Sequence, residues 1–553
     1  MSGIAGIIHF DGQPVEPGLI EKMTSAMAHR GPDGINHWVK GSVALGQCML
    51  RTTPESLEEH QPLTNEDESL VLVMDGRVDN WEELRRELLG RGAVLRNRAD
   101  AELVLRAYEI WGRDCLAHID GDFALVIWDA RRREAFCARD RMGNKPFNYH
   151  WDGKTFVFAS ELHTILALSW VSEIFNEGML AEFLAAEWYS RDETFWQGIL
   201  RLVAAHLMVV GVAGPQPEQY WEPDLWVTLP YIRDEEYIDH YRELIFDSVR
   251  RLSRSHRSVA VEVSGGLDSS AIFCVAEHLR RSGRFAGPCA NGYTLSFTDD
   301  EKANETLYSQ AVAEYLGIPV HEVSPSRVEL SWFDKRAHAY LDFPGFPNAT
   351  MAESLLLQAS LKGSRVILNG VGGDEWLAGS RLYYAEEFAR RGWHALFTCF
   401  ATDVEIFGIS QTMCWLARYG LLPLLPVSVV AGLRYLNRCF RRNKFSEFYW
   451  LSPTMKDLIR RRQAASRQRY QNVHWIGQRE LLATRYDAYL GIAREQAEFT
   501  YASFGLEPRR PLHTAAFVQF AFSTPERLRL RGDRDKFISI LKVKTPAFQA
   551  GRF

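Results

Sequence analysis

Val259-Ala-Val-Glu-Val-Ser-Gly-Gly-Leu-Asp-Ser-Ser270 decides the fold. Val259, Val261 and Val263 place β-branched residues at alternate positions, as a strand favours. Gly265 and Gly266 then open a turn in which the backbone can approach another group closely. From about Asp268 onward, Ala271, Ile272, Val275, Ala276 and Leu279 recur at helical spacing. The segment reads as strand, glycine turn, helix. Free N–H groups at a helix start form an anion site, and Ser264, Ser269 and Ser270 add hydroxyls. The Lys of the motif G-x-x-x-x-G-K-S/T is missing, which excludes the usual P-loop.

The pattern repeats outward. Residues 293–297, 319–323 and 365–369 read as strands, and 234–252 and 306–316 as helices, the latter ending at Gly317. Such β-α alternation implies a parallel sheet with helices on both faces. Sheets of this kind bind ligands beyond the carboxyl ends of their strands, where Ser264 and Gly370 stand. Asn369-Gly-Val-Gly-Gly-Asp-Glu375 follows one of those strands. Alone, Gly-Gly-Asp-Glu is ordinary loop material. Beside the first motif it supplies a second carboxylate, and Asp268 with Asp374 could hold a divalent cation on phosphate oxygens.

The first half has another rhythm. Strands are expected at 4–10, 37–39, 43–45, 70–74, 123–128, 134–139 and 155–159, and helices at 18–27, 80–90 and 101–111. Many strands with few helices imply stacked sheets covered by helices. Residues 211–231, rich in Pro, Gly and aromatics, read as an ordered crossing segment, so the boundary falls at 205–235. The expected division is a first domain at 1–210, a linker at 211–235 and a second domain at 236–553.

Composition sets bounds. A chain of 553 residues suggests two to four domains, and 46% hydrophobic with 24% charged residues suits a soluble globular protein. A net charge of -6 argues against a general nucleic-acid binder. The eight cysteines are scattered without a C-x-x-C pair, which fits a reducing cytoplasm and neither a zinc site nor a disulfide framework. The N-terminus has no basic region, so it is a poor signal peptide. The most apolar run, 421–430, is too short to span a bilayer, contains Pro423 and Pro426, and reads as buried helix ends. Residues 376–500 read as largely helical, aromatic and basic. Their cluster Arg438, Arg441, Arg442, Lys444, Arg460, Arg461 and Arg462 reads as a solvated helical face, with a surface for an acidic peptide or partner as the alternative.

His29-Arg-Gly-Pro-Asp33, Asp120-Gly-Asp-Phe-Ala-Leu-Val-Ile-Trp-Asp129 and Ala138-Arg-Asp-Arg-Met-Gly-Asn-Lys-Pro-Phe147 resemble the glutaminase domain of asparagine synthetase B. That resemblance implies an N-terminal-nucleophile (Ntn) fold whose nucleophile is a Cys at position 2. Here position 2 is Ser2, a weaker nucleophile near neutral pH. The family's Asn-Gly-Glu appears as Asp75-Gly76-Arg77, and an Asp there would repel an oxyanion. The expectation is lost glutaminase activity, with a serine-dependent amidohydrolase as the alternative.

The resemblance continues along the chain. Ser264–Ser270 is similar to the pyrophosphate loop of enzymes that split ATP into AMP and pyrophosphate, 369–375 to the family's Ser-Gly-Glu-Gly-Ser-Asp-Glu, and 504–512 to its Ser-Leu-Glu-x-Arg-x-Pro-Phe. Lys542-Val-Lys-Thr-Pro-Ala-Phe548 resembles its Arg-x-Lys loop, with Lys544 the better match and Lys542 the reserve. The short distance from Lys536 to that loop implies a deletion or an incomplete chain end.

The implied fold class is α/β: an Ntn-type, glutaminase-like αββα sandwich, then a doubly wound parallel-sheet ATP-pyrophosphatase domain with helical additions. The resemblance implies ATP contacts at Val263, Ser264, Gly265, Gly266, Leu267, Asp268, Ser269, Ser270, Leu295, Asn369 and Gly370. It implies Mg²⁺ on Asp268 and Asp374, and catalysis by Asp268, Asp374 and Lys544. Val371 stands where asparagine synthetases carry Glu and β-lactam synthetases a Tyr, so the general base is unassigned. Glu375 and Glu405 are candidates by rough placement, although a structural role explains each as well.

Residues 45–56 and 75–84 look like the versions of these segments in lasso peptide macrolactam cyclases. On that resemblance a leader-cleaved precursor peptide is the substrate. Its Asp or Glu side chain is adenylated and its N-terminal amine closes an isopeptide ring. A leader peptidase and a leader-recognition protein are candidate partners. The alternatives are a β-lactam-forming or ammonia-dependent asparagine-forming ligase, a partly active glutaminase, and a non-catalytic scaffold.

Overall fold

In a computed structural model, the structure describes residues 2–231, 233–298, 300, 302–425, 448–467 and 473–542. Seventeen strands build its three principal sheets. In the first half these are β1 (Gly3–His9), β2 (Ile35–Lys40), β3 (Val43–Cys48), β4 (Leu63–Thr64), β5 (Leu70–Gly76) and β6 (Phe123–Asp129). They continue with β7 (Glu134–Arg139), β8 (Asn148–Trp151), β9 (Thr155–Ala159), β10 (Ile199–Arg201), β11 (His206–Gly211) and β12 (Gly214–Gln219). The second half contributes β13 (Val259–Glu262), β14 (Ala290–Leu295), β15 (Val320–Val323), β16 (Val366–Leu368) and β17 (Glu507–Arg509).

The first twelve strands form two six-stranded antiparallel sheets, ordered β10-β8-β9-β1-β3-β2 and β12-β11-β7-β6-β5-β4. Alternation explains the packing: Ile4 and Ile8 of β1 meet Val71, Val73, Ala124 and Val126 between the sheets. Ala5 and Ile7 point outward, under the Pro17–Ala26 helix. The other outer face lies beneath the Trp81–Gly90 and Asp100–Trp111 helices. The result is the expected αββα sandwich. Five of its strands go beyond those expected from sequence: β4 and β10 are two and three residues long, β8 and β12 are rich in polar residues or Pro, and the apolar β11 falls at the expected domain boundary. The β11–β12 hairpin continues the second sheet as far as Gln219.

The second half is a five-stranded parallel sheet ordered β15-β14-β13-β16-β17. Val259, Val261 and Val263 pack against the Asp234–Leu252 and Leu267–Arg281 helices. Ala260 and Ile367 face the Glu353–Leu361 helix on the other side, with Tyr501 of the Ala488–Ser503 helix. Burial of each such valine is worth about 1.5–3 kcal/mol. From β13 the chain winds one way to β14 and β15 and the other way to β16 and β17. The switch point therefore lies between β13 and β16, where both motif loops leave the sheet.

Two readings of the helical region need correction. Arg462, on the Pro453–Arg467 helix, is not a solvated charge: its guanidinium reaches Glu182 and Glu193 of the first domain, each at 2.6 Å. Leu421, Leu424 and Leu425 are 41–52% exposed rather than buried helix ends, because they sit in short irregular turns around Pro423. Arg438, Arg441, Arg442 and Lys444 lie outside the described residues. No described helix is long and apolar enough to cross a membrane, and the seven described cysteines are free.

Candidate active site

The two loops at the switch point touch. Gly265 takes φ +79°, and a Cβ there would come within 2.9 Å of Tyr308 Cβ, so both conformation and space call for glycine. The Ser264 amide donates to Ser269 Oγ at 3.0 Å, and the two hydroxyls lie 2.9 Å apart. That knot folds the turn back over the first turn of the Leu267–Arg281 helix, whose leading N–H groups have no intrahelical acceptors. On the second loop, a Cβ on Gly373 would fall 2.1 Å from Asp268 Oδ2. Gly372 takes φ +104° and its amide donates to Glu375 Oε2 at 2.8 Å. Glu375 thus ties its own loop.

Asp268 and Asp374 meet at one cation. Lys536 Nζ lies 2.5 Å from Asp268 Oδ2 and 2.6 Å from Asp374 Oδ1. Burial alone would weaken the ammonium, but the two carboxylates outweigh it and raise its proton affinity. Lys536 is held at φ 52°, a left-handed backbone that a Lys adopts only when its surroundings demand it. Burial raises the Asp268 carboxyl above its ordinary value against the pull of Lys536, and Asp268 Oδ1 is buried without a partner. The Asp374 side chain is 88% exposed. Two carboxylates converging on one positive charge, with a spare oxygen, fit a divalent ion completed by phosphate oxygens and water. No group of three metal-ligating side chains occurs among the described residues.

Val263, Ser264, Gly265, Gly266, Leu267, Asp268, Ser269, Ser270, Asn369, Gly370 and Asp374 lie on the two segments that leave β13 and β16, which touch where Gly370 and Gly373 pack against Ser269 and Asp268. Leu295 ends the neighbouring strand β14. Lys544 and the side chain of Lys542 lie outside the described residues. Lys536 was missed because its sequence neighbours, Asp533-Arg-Asp-Lys536, carry no periodic signal. Glu405 is exposed on the Trp393–Phe407 helix.

The pocket around Ser2 is different in kind. Ser2 Oγ accepts from the Leu50 amide at 3.0 Å. Asp75 is buried between Arg30 and Lys145, 3.8 Å from each, and neither of its oxygens has a hydrogen-bond partner. Burial pushes its carboxyl up, against both cations. Arg30 pairs with Glu161, which His29 also contacts at 3.0 Å. Arg77 bridges Asp79 at 2.8 Å, Asp122 at 2.7 Å and, across the domain boundary, Glu507 of β17 at 3.2 Å.

A glutamine amidotransferase domain family matches residues 1–221, and the asparagine synthase family matches residues 240–540. A Methanocaldococcus jannaschii protein described as a glutamine-hydrolyzing asparagine synthetase is 28% identical over 71% of this chain and 78% of its own length. Asparagine synthetase 3 of Bacillus subtilis, described as glutamine-hydrolyzing, is 28% identical over 68% of this chain and 63% of its own. Amidase chyE of Penicillium rubens is 26% identical over 68% of this chain and 57% of its own. This chain thus spans less than two thirds of two of these three relatives.

Proposed function

This chain belongs to the asparagine synthase family, and from that premise we propose that it is an AMP-forming ligase that closes a macrolactam ring in a peptide. The observation that carries the ligase chemistry is the convergence of Asp268 and Asp374 on one cation beside the first turn of the Leu267–Arg281 helix. In this reading the substrate carboxylate attacks the α-phosphorus of ATP and pyrophosphate leaves. The turn amides, Ser264 and Ser269 bind the leaving phosphates, and Lys536 neutralises the charge that develops on them, with Lys544 in the same role. Asp268 and Asp374 would hold Mg²⁺, which supplies charge neutralisation on the phosphate oxygens when bound. An amine then displaces AMP.

Two features support an amine carried by the substrate itself. Ser2 replaces a thiol, and Asp75 sets a carboxylate between Arg30 and Lys145 where an oxyanion donor would be needed. The glutaminase reaction is absent in this reading, and a leader-cleaved precursor peptide provides both the Asp or Glu side chain and the N-terminal amine. Two of the relatives are named asparagine synthetases, which favours a second reading, a small-molecule amide ligase.

Incubation with ATP, Mg²⁺ and candidate peptides, followed by mass spectrometry, separates the two. The cyclase reading expects AMP together with peptide that has lost one water. AMP formed with aspartate and ammonia, and unchanged peptide, overturns it.

A further inference from the structure

Amide formation needs a group to take the proton from the attacking amine. Val371 carries no such chemistry, Glu375 holds the Gly372 amide, and Glu405 is exposed on another helix. One carboxylate at the strand ends has no ion pair among the described residues. Glu262 is the last residue of β13, a strand otherwise made of valine and alanine. The register sets Val261 opposite Leu368, so Glu262 lies beside Asn369 at the switch point, two residues before Ser264. Its side chain faces the sheet surface opposite the Leu267–Arg281 helix, toward Tyr501 of the Ala488–Ser503 helix.

Tyr501 Oη donates to Glu262 Oε1 at 2.5 Å, and Asn369 Nδ2 donates to Tyr501 Oη at 3.3 Å. Asn369 Oδ1 in turn accepts from the Val371 amide at 3.3 Å. The chain of bonds therefore runs from the second motif loop to the carboxylate. Among the described residues Glu262 has no ion pair. Arg510 is the charged group facing both members, and it is committed to Glu498 at 2.7 Å and to Asn144 of the first domain at 3.2 Å. A glutamate placed at a half-buried strand end without a cation lowers stability relative to valine or alanine there, and carboxylates perturbed in this way cluster at functional sites.

We infer that the Glu262–Tyr501 pair is the proton acceptor for the amine, an inference that rests on the ligase reading above. The C–N bond forms as the acyl C–O bond to AMP breaks, and AMP leaves with that electron pair. The nitrogen's surplus proton passes to Tyr501 Oη while the hydroxyl's own proton moves to Glu262 Oε1. Glu262 then releases it to solvent. The electrostatics agree with these roles. Burial raises the Glu262 carboxyl above its ordinary value against the effects of Tyr501 and Arg510, making it a better base. Burial and the adjacent Glu262 charge hold the Tyr501 hydroxyl well above its usual range, so it waits as a phenol.

The test uses the full chain, ATP and Mg²⁺ with two probes: a pool of synthetic peptides with free N-termini and internal Asp or Glu, and L-aspartate with ammonium chloride. Isotope exchange of pyrophosphate into ATP reports carboxylate activation, and mass spectrometry reports amide. In Glu262→Gln and Tyr501→Phe the ratio of amide formation to exchange is expected to fall about 10²-fold or more. The acid limb of amide formation in the wild type, where Glu262 becomes protonated, should vanish in Glu262→Gln. A ratio unchanged in both variants overturns the inference alone, as does a parallel loss of exchange and amide. A wild-type chain that forms no AMP with either probe overturns the ligase reading and this inference with it.

Discussion

Two charged pockets, one at the start of the chain and one at the strand ends of the parallel sheet, show opposite uses of charge. Around Ser2, the charged side chains Arg30, Asp75, Arg77, Lys145, Glu161 and Glu507 are all buried and set against opposite charges of the protein itself. Around Asp268, charge is left available: Asp374 projects into solvent and Asp268 keeps a spare oxygen. A buried set of paired charges resists change because removing one partner strands another in a low-dielectric interior. An open set waits for a ligand to complete it. The first pocket is therefore a joint between domains, and the second has the character of a reaction site.

The largest expected effect tests the joint. Glu507 contacts Arg77, Lys145 and Arg509, the last at 2.7 Å. Glu507→Gln is expected to destabilise the fold by about 3–5 kcal/mol, read from the urea unfolding midpoint. Despite burial, Lys145, Arg509 and Arg77 hold the Glu507 carboxyl well below its ordinary value. A depressed folded-state value adds stability that is full above the unfolded value of about 4.3 and fades as pH falls through the folded one. The gap between wild type and variant should therefore narrow on acidification below about pH 4. A gap that widens there would break the account of the joint.

The next effect tests the open site. Asp268→Ala should cut AMP formation by about 10²–10³-fold while leaving the unfolding midpoint unchanged. Full activity in that variant would remove Asp268 from the chemistry. Lys536→Met should lower AMP formation by about 10²-fold, the size of one lost charge contact. If it instead leaves activity intact, the shared cation is only a structural pair. The smallest effect sharpens the contrast: Ser2→Ala should change AMP formation by less than about twofold, since the Ser2 hydroxyl hydrogen-bonds the backbone of Leu50, in the first domain and away from Asp268. Glutamate release from glutamine should stay at background in both proteins, and release above it in the wild type would return a reaction to the first pocket.

Legibility followed local pattern. The Asp234–Leu252 and Thr306–Leu316 helices read directly from sequence because their periodicity and their ends are local. β7 and β9 did too, as apolar runs bounded by turn residues. β12, with Pro215 and Pro217, did not, because it is an edge strand held by its hairpin partner β11. β17 contains Pro508 between two charged residues and is a strand only because β16 pairs with it. In the candidate site, the glycine turn and both carboxylates were readable from motif spacing. Lys536, Glu262 and Tyr501 were not, since each gains its meaning from a partner far along the chain.

The sequence by itself determined the strand–turn–helix at 259–281, the β-α order of the second half and the replaced Cys at position 2, because these depend on neighbouring residues alone. Only the tertiary structure decided that Lys536 joins Asp268 to Asp374, that Arg462 ties the helical region to the first domain, and that Glu507 locks β17 to Arg77. Those contacts depend on which distant side chains share a low-dielectric interior, where an unpaired charge is costly and a paired one is held, and no local pattern encodes that pairing.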